Sequence, residues 1–342
     1  MSETAPRPRV TMMPWGETLD ELGQAARAAD DAGVAALWTA ELHRTATIPA
    51  AVLAQHSTNA MIGTGIAWAF CRSPMMTALT ALDLDELSGG RFVLGLGSGV
   101  RRLVESWHGL PFDQPVTRLR QTVDAIRAVV AGAADGRTFE GGGELASTSV
   151  RGWERPFPVM RGQIPIYLAA VGPKMCQLAG QTADGWLGHE LGSPRYLRDR
   201  ILPHIEEGLR AAGRTRTDID LVPSACCVIH PDGREARRRA AGLVGFYASV
   251  KTYDDFFAFH GFAAEAAAVR SAFAAGDVAA MTAAVTEEMV DALTLAGTAD
   301  EVQRKLDGYA GLVDGIKLSA PTHNVDPEVT RAAQHAIITH LA

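Results

Sequence analysis

"GGRFVLGLGSGVRR", Gly89 to Arg102, is the stretch on which the fold turns. An apolar run, FVLGL, ends in a glycine-rich turn and two arginines. As a dinucleotide fingerprint it would open a doubly wound sheet. As one strand of a parallel barrel, its glycines would only let a flat ring or its side arm pass close to the backbone. The fingerprint needs GxGxxG to run straight into a helix, and an acidic residue closing a second strand about 20 residues on. Neither is found here: Val100 to Pro115 reads as a loop with Trp107, His108 and Pro111, and no such acid follows. FVLGL is therefore predicted to be a barrel strand.

Working outward, short apolar runs alternate with helical patterns on both sides of this strand. RVTMM (9–13), VAALWTA (34–40) and AMIGTGIAW (60–68) precede it as strands. Between them lie LDELGQAARAADDAG (19–33), a helix from about Ile48, and SPMMTALTALDLDELSGG (73–90). The last has a Ser-Pro start and a glycine stop, the usual helix punctuation. PVTRLRQTVDAIRAVVAG (115–132) is the helix after the fourth strand. IPIYLAA (164–170), WLGHE (186–190), DLVPSACCVIH (220–230) and DGIKLSA (314–320) continue the strands, with helices over 173–185 and about 194–212. Strands apolar on both faces suit a parallel sheet covered by helices. Eight of them separated by helices predict one (β/α)8 barrel over residues 1–342, an α/β fold. Two blocks interrupt the alternation: 133–163, after the fourth helix, and a helical insertion or lid, 234–310, after the seventh strand.

Composition bounds the function. The chain has 342 residues, 47% hydrophobic and 21% charged, with a formal net charge of −7. That balance argues against nucleic acid as the main partner. No run is long enough for a membrane span, and MSETAPRPRV has no apolar leader. The four cysteines (Cys71, Cys176, Cys226, Cys227) lack metal spacing and read as reduced thiols of a cytoplasmic protein.

In a barrel the chemistry lies just after the strands. After the second come Glu41 and His43, a carboxylate and an imidazole able to move a proton near neutral pH; a loop cap and an exposed histidine are the plain alternative. Gly63 and Gly65, inside the third strand, suggest a bulge or a close approach. After the fourth, Arg101 and Arg102 offer charge to an anionic tail, or are a solvated pair. After the fifth, Gly172, Pro173 and Lys174 open a helix whose free N–H groups suit a phosphate. His189 and Glu190 follow the sixth strand, His230 the seventh, and Thr322, His323 and Asn324 the eighth. No HExxH, P-loop or serine-nucleophile elbow occurs, and no metal site is indicated. An anion anchor without metal or nucleophile points to an organic cofactor.

With these positions marked, the chain resembles the bacterial luciferase-like family of flavin- and deazaflavin-dependent oxidoreductases. The likeness rests on "LSGGRFVLGLGSG" (87–99), "RLRQTVDAIRAVV" (118–130), "IPIYLAAVGPKMCQLAGQTADGW" (164–186) and "GTADEV" (297–302). "GTGIAWAFCRSPMMTALTALDLDELSGGRF" (63–92) and "FYASVKTYDDFFAFHG" (246–261) look most like its branch that uses coenzyme F420, a deazaflavin with a phosphate and polyglutamate tail.

The resemblance implies a cytoplasmic homodimer acting on a small organic substrate. It implies a non-prolyl cis peptide at Gly65–Ile66, with Ala67, backing the ring. Gly97, Ser98 and Gly99 would border the cofactor, and Ala170, Val171, Gly172, Pro173 and Lys174 would hold its phosphate. Arg101 would meet the tail, and His43, oriented by Glu41, would supply a proton; His189 is a further catalytic candidate. The implied reaction is hydride transfer, reducing an activated C=C or C=N or oxidising an alcohol. Two alternatives stand beside it. One is an FMN-dependent monooxygenase fed by a separate flavin reductase, and the other is a flavin-binding protein without catalysis. The loop "ELHRTATIPA" lacks the aspartate-histidine pair of the family's sugar-phosphate dehydrogenases, so the likeness assigns no substrate.

Overall fold

Eight parallel strands close into a barrel: β1 (Arg9–Met13), β2 (Ala36–Thr39), β3 (Met61–Thr64), β4 (Phe92–Gly97), β5 (Ile166–Ala169), β6 (Gly185–Leu187), β7 (Ser224–Ile229) and β8 (Gly315–Ser319). The structure, a computed structural model, describes residues 6–136 and 138–342. Neighbours in sequence are neighbours in the sheet, and β1 pairs with β8 from Arg9↔Gly315 to Met13↔Ser319. The first five residues, part of the segment read for a leader, lie outside the described residues. Among the described residues no helix is long and apolar enough to cross a membrane.

Closure depends on Pro223. The run predicted as one strand over 220–230 is two: Asp220–Val222 pairs with β6, and β7 then pairs with β8 through Ser224↔Lys317. Proline has no N–H for a ladder, so the strand changes partner there. Beyond β8's reach, Cys227–Ile229 pairs with Leu295–Gly297, a strand inside the block expected to be all helical. Helix Ala299–Asp307 follows it, started by a capping box of Thr298 and Glu301.

Alternation along the strands turns Trp38 and Tyr167 into the barrel, with ring centroids 5.9 Å apart. Gly63 and Gly185 make room for them. A Cβ at Gly63 would lie 2.3 Å from the Trp38 ring, and one at Gly185 2.5 Å from that of Tyr167. The close approach expected at Gly63 is therefore made by Trp38. Below, Tyr167 donates to Asp220 at 2.6 Å, and Arg9 pairs with the same carboxylate at 2.5 Å. Side chains thus fill the N-terminal half of the barrel, and ligands are left the strands' C-terminal ends.

Other expectations change locally. Segment 60–68 is broken: β3 ends at Thr64, and only Ala67–Trp68 resumes pairing, with Leu96 and Gly97. The supposed loop after β4 holds a helix, Arg101–His108, supported by the Arg101–Glu105 pair at 2.9 Å and ended by Gly109 in a left-handed conformation. The helix after it runs on to Asp135, and an antiparallel hairpin, Phe139–Gly142 with Ser147–Val150, occupies part of the 133–163 block. A C-terminal helix, Pro327–Leu341, completes the chain; the sequence reading did not identify it.

Candidate active site

The exit of β2 is tied to that of β3. The Gly65–Ile66 peptide is cis, and Glu41 N–H donates to the Ile66 carbonyl at 3.0 Å. The Glu41 carboxylate accepts from Trp68 N–H and from Arg72 Nη1, both at 2.7 Å, and from Arg72 Nη2. Burial pushes the Glu41 carboxyl up, but Arg72 and the Trp68 N–H outweigh it and hold it below the usual range. Glu41 therefore stays ionised and fixes the segment after the cis peptide. It does not orient His43, which is exposed and has no hydrogen-bond partner among the described residues. The expected pair does not form, because Arg72 is the stronger, bidentate partner.

Next to this segment two glycines let its side chains pack against the β4 backbone. A Cβ at Gly97 would lie 2.3 Å from Ile66 Cδ1 and 3.5 Å from Ala169 Cβ, so β3, β4 and β5 meet there. Gly99, at φ 73°, turns the chain beside the Trp68 ring, and Ser98 donates to the Gly99 carbonyl at 3.2 Å. Arg101, expected at an anionic tail, pairs with Glu105 on its own helix and lies 4.8 Å over the Phe112 ring.

The turn after β5 is anchored from below and open above. Ala170 is buried; its carbonyl accepts from Trp186 Nε1 at 2.9 Å, and its N–H donates to Leu187 at 3.4 Å. Helix Pro173–Thr182 then starts at Gly172 with no side-chain cap, and Gly172 O takes the N–H groups of Met175 and Cys176. The N–H groups of Val171, Gly172 and Lys174 have no acceptor among the described residues, and these residues are exposed. A Cβ at Gly172 would meet nothing within 4 Å. Orphan donors at a helix start with an adjacent lysine suit a phosphate, so the residues present fit a phosphorylated cofactor.

Across the mouth lies a polar cluster that the sequence reading only partly identified. Glu190 accepts from Ser319 Oγ at 2.8 Å and from Tyr247 Oη at 2.9 Å. Burial pushes its carboxyl up, but these donors, with His189 and Lys317 nearby, bring it below the usual range. Lys317 projects inward from β8, and its Nζ donates to Gly65 O at 3.2 Å. His189 accepts Leu191 N–H on Nδ1 at 3.3 Å. Its neutral ring then carries the proton on Nε2 and donates to Tyr253 Oη at 2.9 Å. Lys317 and Ser319 were not identified as site residues; Tyr247 and Tyr253 lie in the block read as a lid. The available signal was one lysine in the otherwise apolar strand DGIKLSA.

His189 lies beneath two tyrosine rings. Desolvation under Tyr247 and Tyr253, at 4.6 and 5.0 Å, pulls its imidazole down to about 4. Its ring is expected to titrate near pH 4 in an NMR titration of the folded protein; a midpoint above 6 would show it solvated. Because the folded value lies below the ordinary 6.5, its contribution to stability is full above 6.5 and lost as pH falls toward 4. His323, half-buried and tilted against the Phe246 ring at 4.5 Å, is likewise pulled down by desolvation. Among the described residues the His230 ring bonds only to the Asp232 backbone, and no cluster of metal-ligating side chains is found.

Known proteins resemble this chain in sequence and fold. The family model described as luciferase-like monooxygenase matches residues 2–314. A 5,10-methylenetetrahydromethanopterin reductase of Methanolobus tindarius is 31% identical over 75% of this chain and 76% of its own. A Mycobacterium tuberculosis protein, provisionally named a coenzyme F420-dependent oxidoreductase, is 30% identical over 82% and 84%. Among solved structures, the coenzyme F420-dependent tetrahydromethanopterin reductase of Methanopyrus kandleri superposes with TM-score 0.83 at 23% identity, covering 98% of this chain and 97% of that one. That likeness establishes the luciferase-like barrel.

Proposed function

The chain belongs to the luciferase-like monooxygenase family, and from that membership we propose that it transfers hydride between coenzyme F420 and a small organic substrate. It is an enzyme of this family. The observation that carries the cofactor reading is the uncapped turn Val171–Lys174, with three free N–H groups. The name of the oxidoreductase relative supports coenzyme F420 as the group that fits it.

When bound, a deazaflavin supplies the hydride chemistry from a ring carbon that reacts poorly with oxygen. The protein's residues do the rest. Val171, Gly172 and Lys174 hold the phosphate, and Ala170 keeps the turn rigid. The Gly65–Ile66 peptide and Ala67 back the ring, fixed by Glu41 and Arg72. Holding ring and substrate at attack distance is the protein's main contribution to rate. His43, on the exposed loop after β2, gives the proton. Tyr247 and Tyr253, from the helical block over 233–293, close the mouth as a lid and keep water out. The protein works in the cytoplasm as a homodimer.

A fluorescence-quenching titration of the purified protein tests this reading. Coenzyme F420 is expected to bind and FMN to bind more weakly; preference for FMN would instead favour a two-component monooxygenase with a partner reductase. Gly172→Ala sharpens the test. The added methyl meets nothing in the protein, so the variant is expected to melt like the parent. Its affinity for the cofactor is expected to fall about 10-fold, equivalent to about 1.4 kcal/mol. Unchanged affinity would place the phosphate elsewhere.

A further inference from the structure

Lys317 is a charge in the wrong place for a structural lysine. It sits at the middle of β8, paired in register with Thr11 on β1 and Ser224 on β7, and its side chain points into the barrel. Only 6% of the residue is exposed. Lysines are almost never buried so deeply without a partner, because desolvating an ammonium is costly. An ammonium has three N–H donors. Among the described residues only Gly65 O, at 3.2 Å, takes one, and no carboxylate comes within ion-pair distance. Glu190 is near enough to interact, but its two oxygens are already engaged by Ser319 and Tyr247.

The geometry puts this charge where a ligand would need it. The side chain climbs from mid-strand to Gly65, the residue just beyond the end of β3, so the ammonium reaches the level of the barrel mouth. The groups facing it are Gly65 O just past β3, the Trp38 ring from β2, Ser319 from its own strand, and His189 and Glu190 from the β6 exit. None neutralises it by direct contact. Two N–H donors remain for whatever lies on the Gly65–Ile66 peptide.

We propose that Lys317 is the counter-charge for the anionic chromophore of the bound deazaflavin. The inference rests on the cofactor reading above. Coenzyme F420 carries a ring hydroxyl whose ionisation spreads negative charge through the conjugated system to its pyrimidine end. An ammonium beside that ring favours the ionised form and lowers the ring's ionisation midpoint. Lys317 acts as a positioning and electrostatic residue, through the cofactor.

The experiment is a pH titration of the visible absorbance of coenzyme F420, free and bound to the purified parent protein, Lys317→Met and Lys317→Gln. Glutamine keeps a donor for Gly65 O without the charge, and carries the test if methionine prevents folding. The bound chromophore is expected to ionise at lower pH than the free one in the parent. In either variant the midpoint should rise by about one pH unit, a 10-fold change in the proton equilibrium. By linkage, the variants' loss of affinity should grow above the midpoint and vanish below it. A lysine with a merely structural role would weaken binding equally at all pH values. Equal midpoints in parent and variants would overturn the role of Lys317 and leave the cofactor reading intact. Failure of the parent to bind coenzyme F420 would overturn both.

Discussion

Arg72→Ala is expected to destabilise the protein by about 2 kcal/mol, between the cost of losing an exposed ion pair and that of breaking a fully buried one from one side. The side chains of Arg72 and Glu41 are only 24% and 12% exposed. Without the guanidinium, the Glu41 carboxylate keeps a single donor, Trp68 N–H, and stays desolvated. Glu41→Gln is expected to cost less, since its amide oxygen can still accept from Trp68. Chemical unfolding of both variants checks the order. A loss below about 1 kcal/mol for Arg72→Ala would class the pair with solvent-screened surface bridges. The pH dependence has a definite sign. Glu41 is held below the ordinary carboxyl value of 4.5 in the folded state, so the pair's contribution is full above 4.5 and is lost as pH falls through the folded value. The same substitution should weaken cofactor binding, because Glu41 and Arg72 hold Ile66 to Trp68 in place.

Gly95→Ala is expected to abolish the soluble folded protein, or to lower its stability by about 3 kcal/mol or more, the upper range for overpacking. The new Cβ would lie 1.7 Å from Thr64 O and 2.9 Å from Leu187 Cδ1. The first obstacle is backbone, and it cannot swing aside. Thr64 also replaces part of the sheet ladder at this point. Its Oγ1 donates to Gly95 O at 2.7 Å and accepts Gly95 N–H at 2.9 Å, splicing β3 to β4 where β3 turns away. Gly162→Ala is the control, its Cβ meeting nothing nearer than 3.6 Å. A Gly95→Ala protein melting within about 2 °C of its parent, less than about 1.5 kcal/mol for a domain of this size, would contradict the assigned packing.

The glycines of the opening stretch show how far local reading reaches. That FVLGL is a strand followed from its apolar run and flanking glycines, and the structure has Phe92–Gly97 in that role. That Gly97 and Gly99 are bare beside Ile66 and Trp68 could not be read locally, since those contacts cross from β3 to β4. The helix over 101–108 was missed because Trp107, His108 and Pro111 look like loop residues. One turn-spanning ion pair, a buried Val104 and a glycine stop are enough to form it. Segment 220–230 was read as one strand because proline's effect on a ladder depends on which neighbour it would have bonded.

The sequence by itself determined the alternation of strands and helices, the parallel barrel, the order of its exits and the glycine-marked turns at Gly97–Gly99 and Gly172. These depend on periodicity and backbone preference within a few residues. Only the tertiary structure decided which side chains meet at those exits. It gave Glu41 to Arg72 instead of His43, covered His189 with Tyr247 and Tyr253, and brought Lys317 to Gly65 across 252 positions of chain. Partnership and desolvation are properties of register and closure, and no local run of residues encodes them.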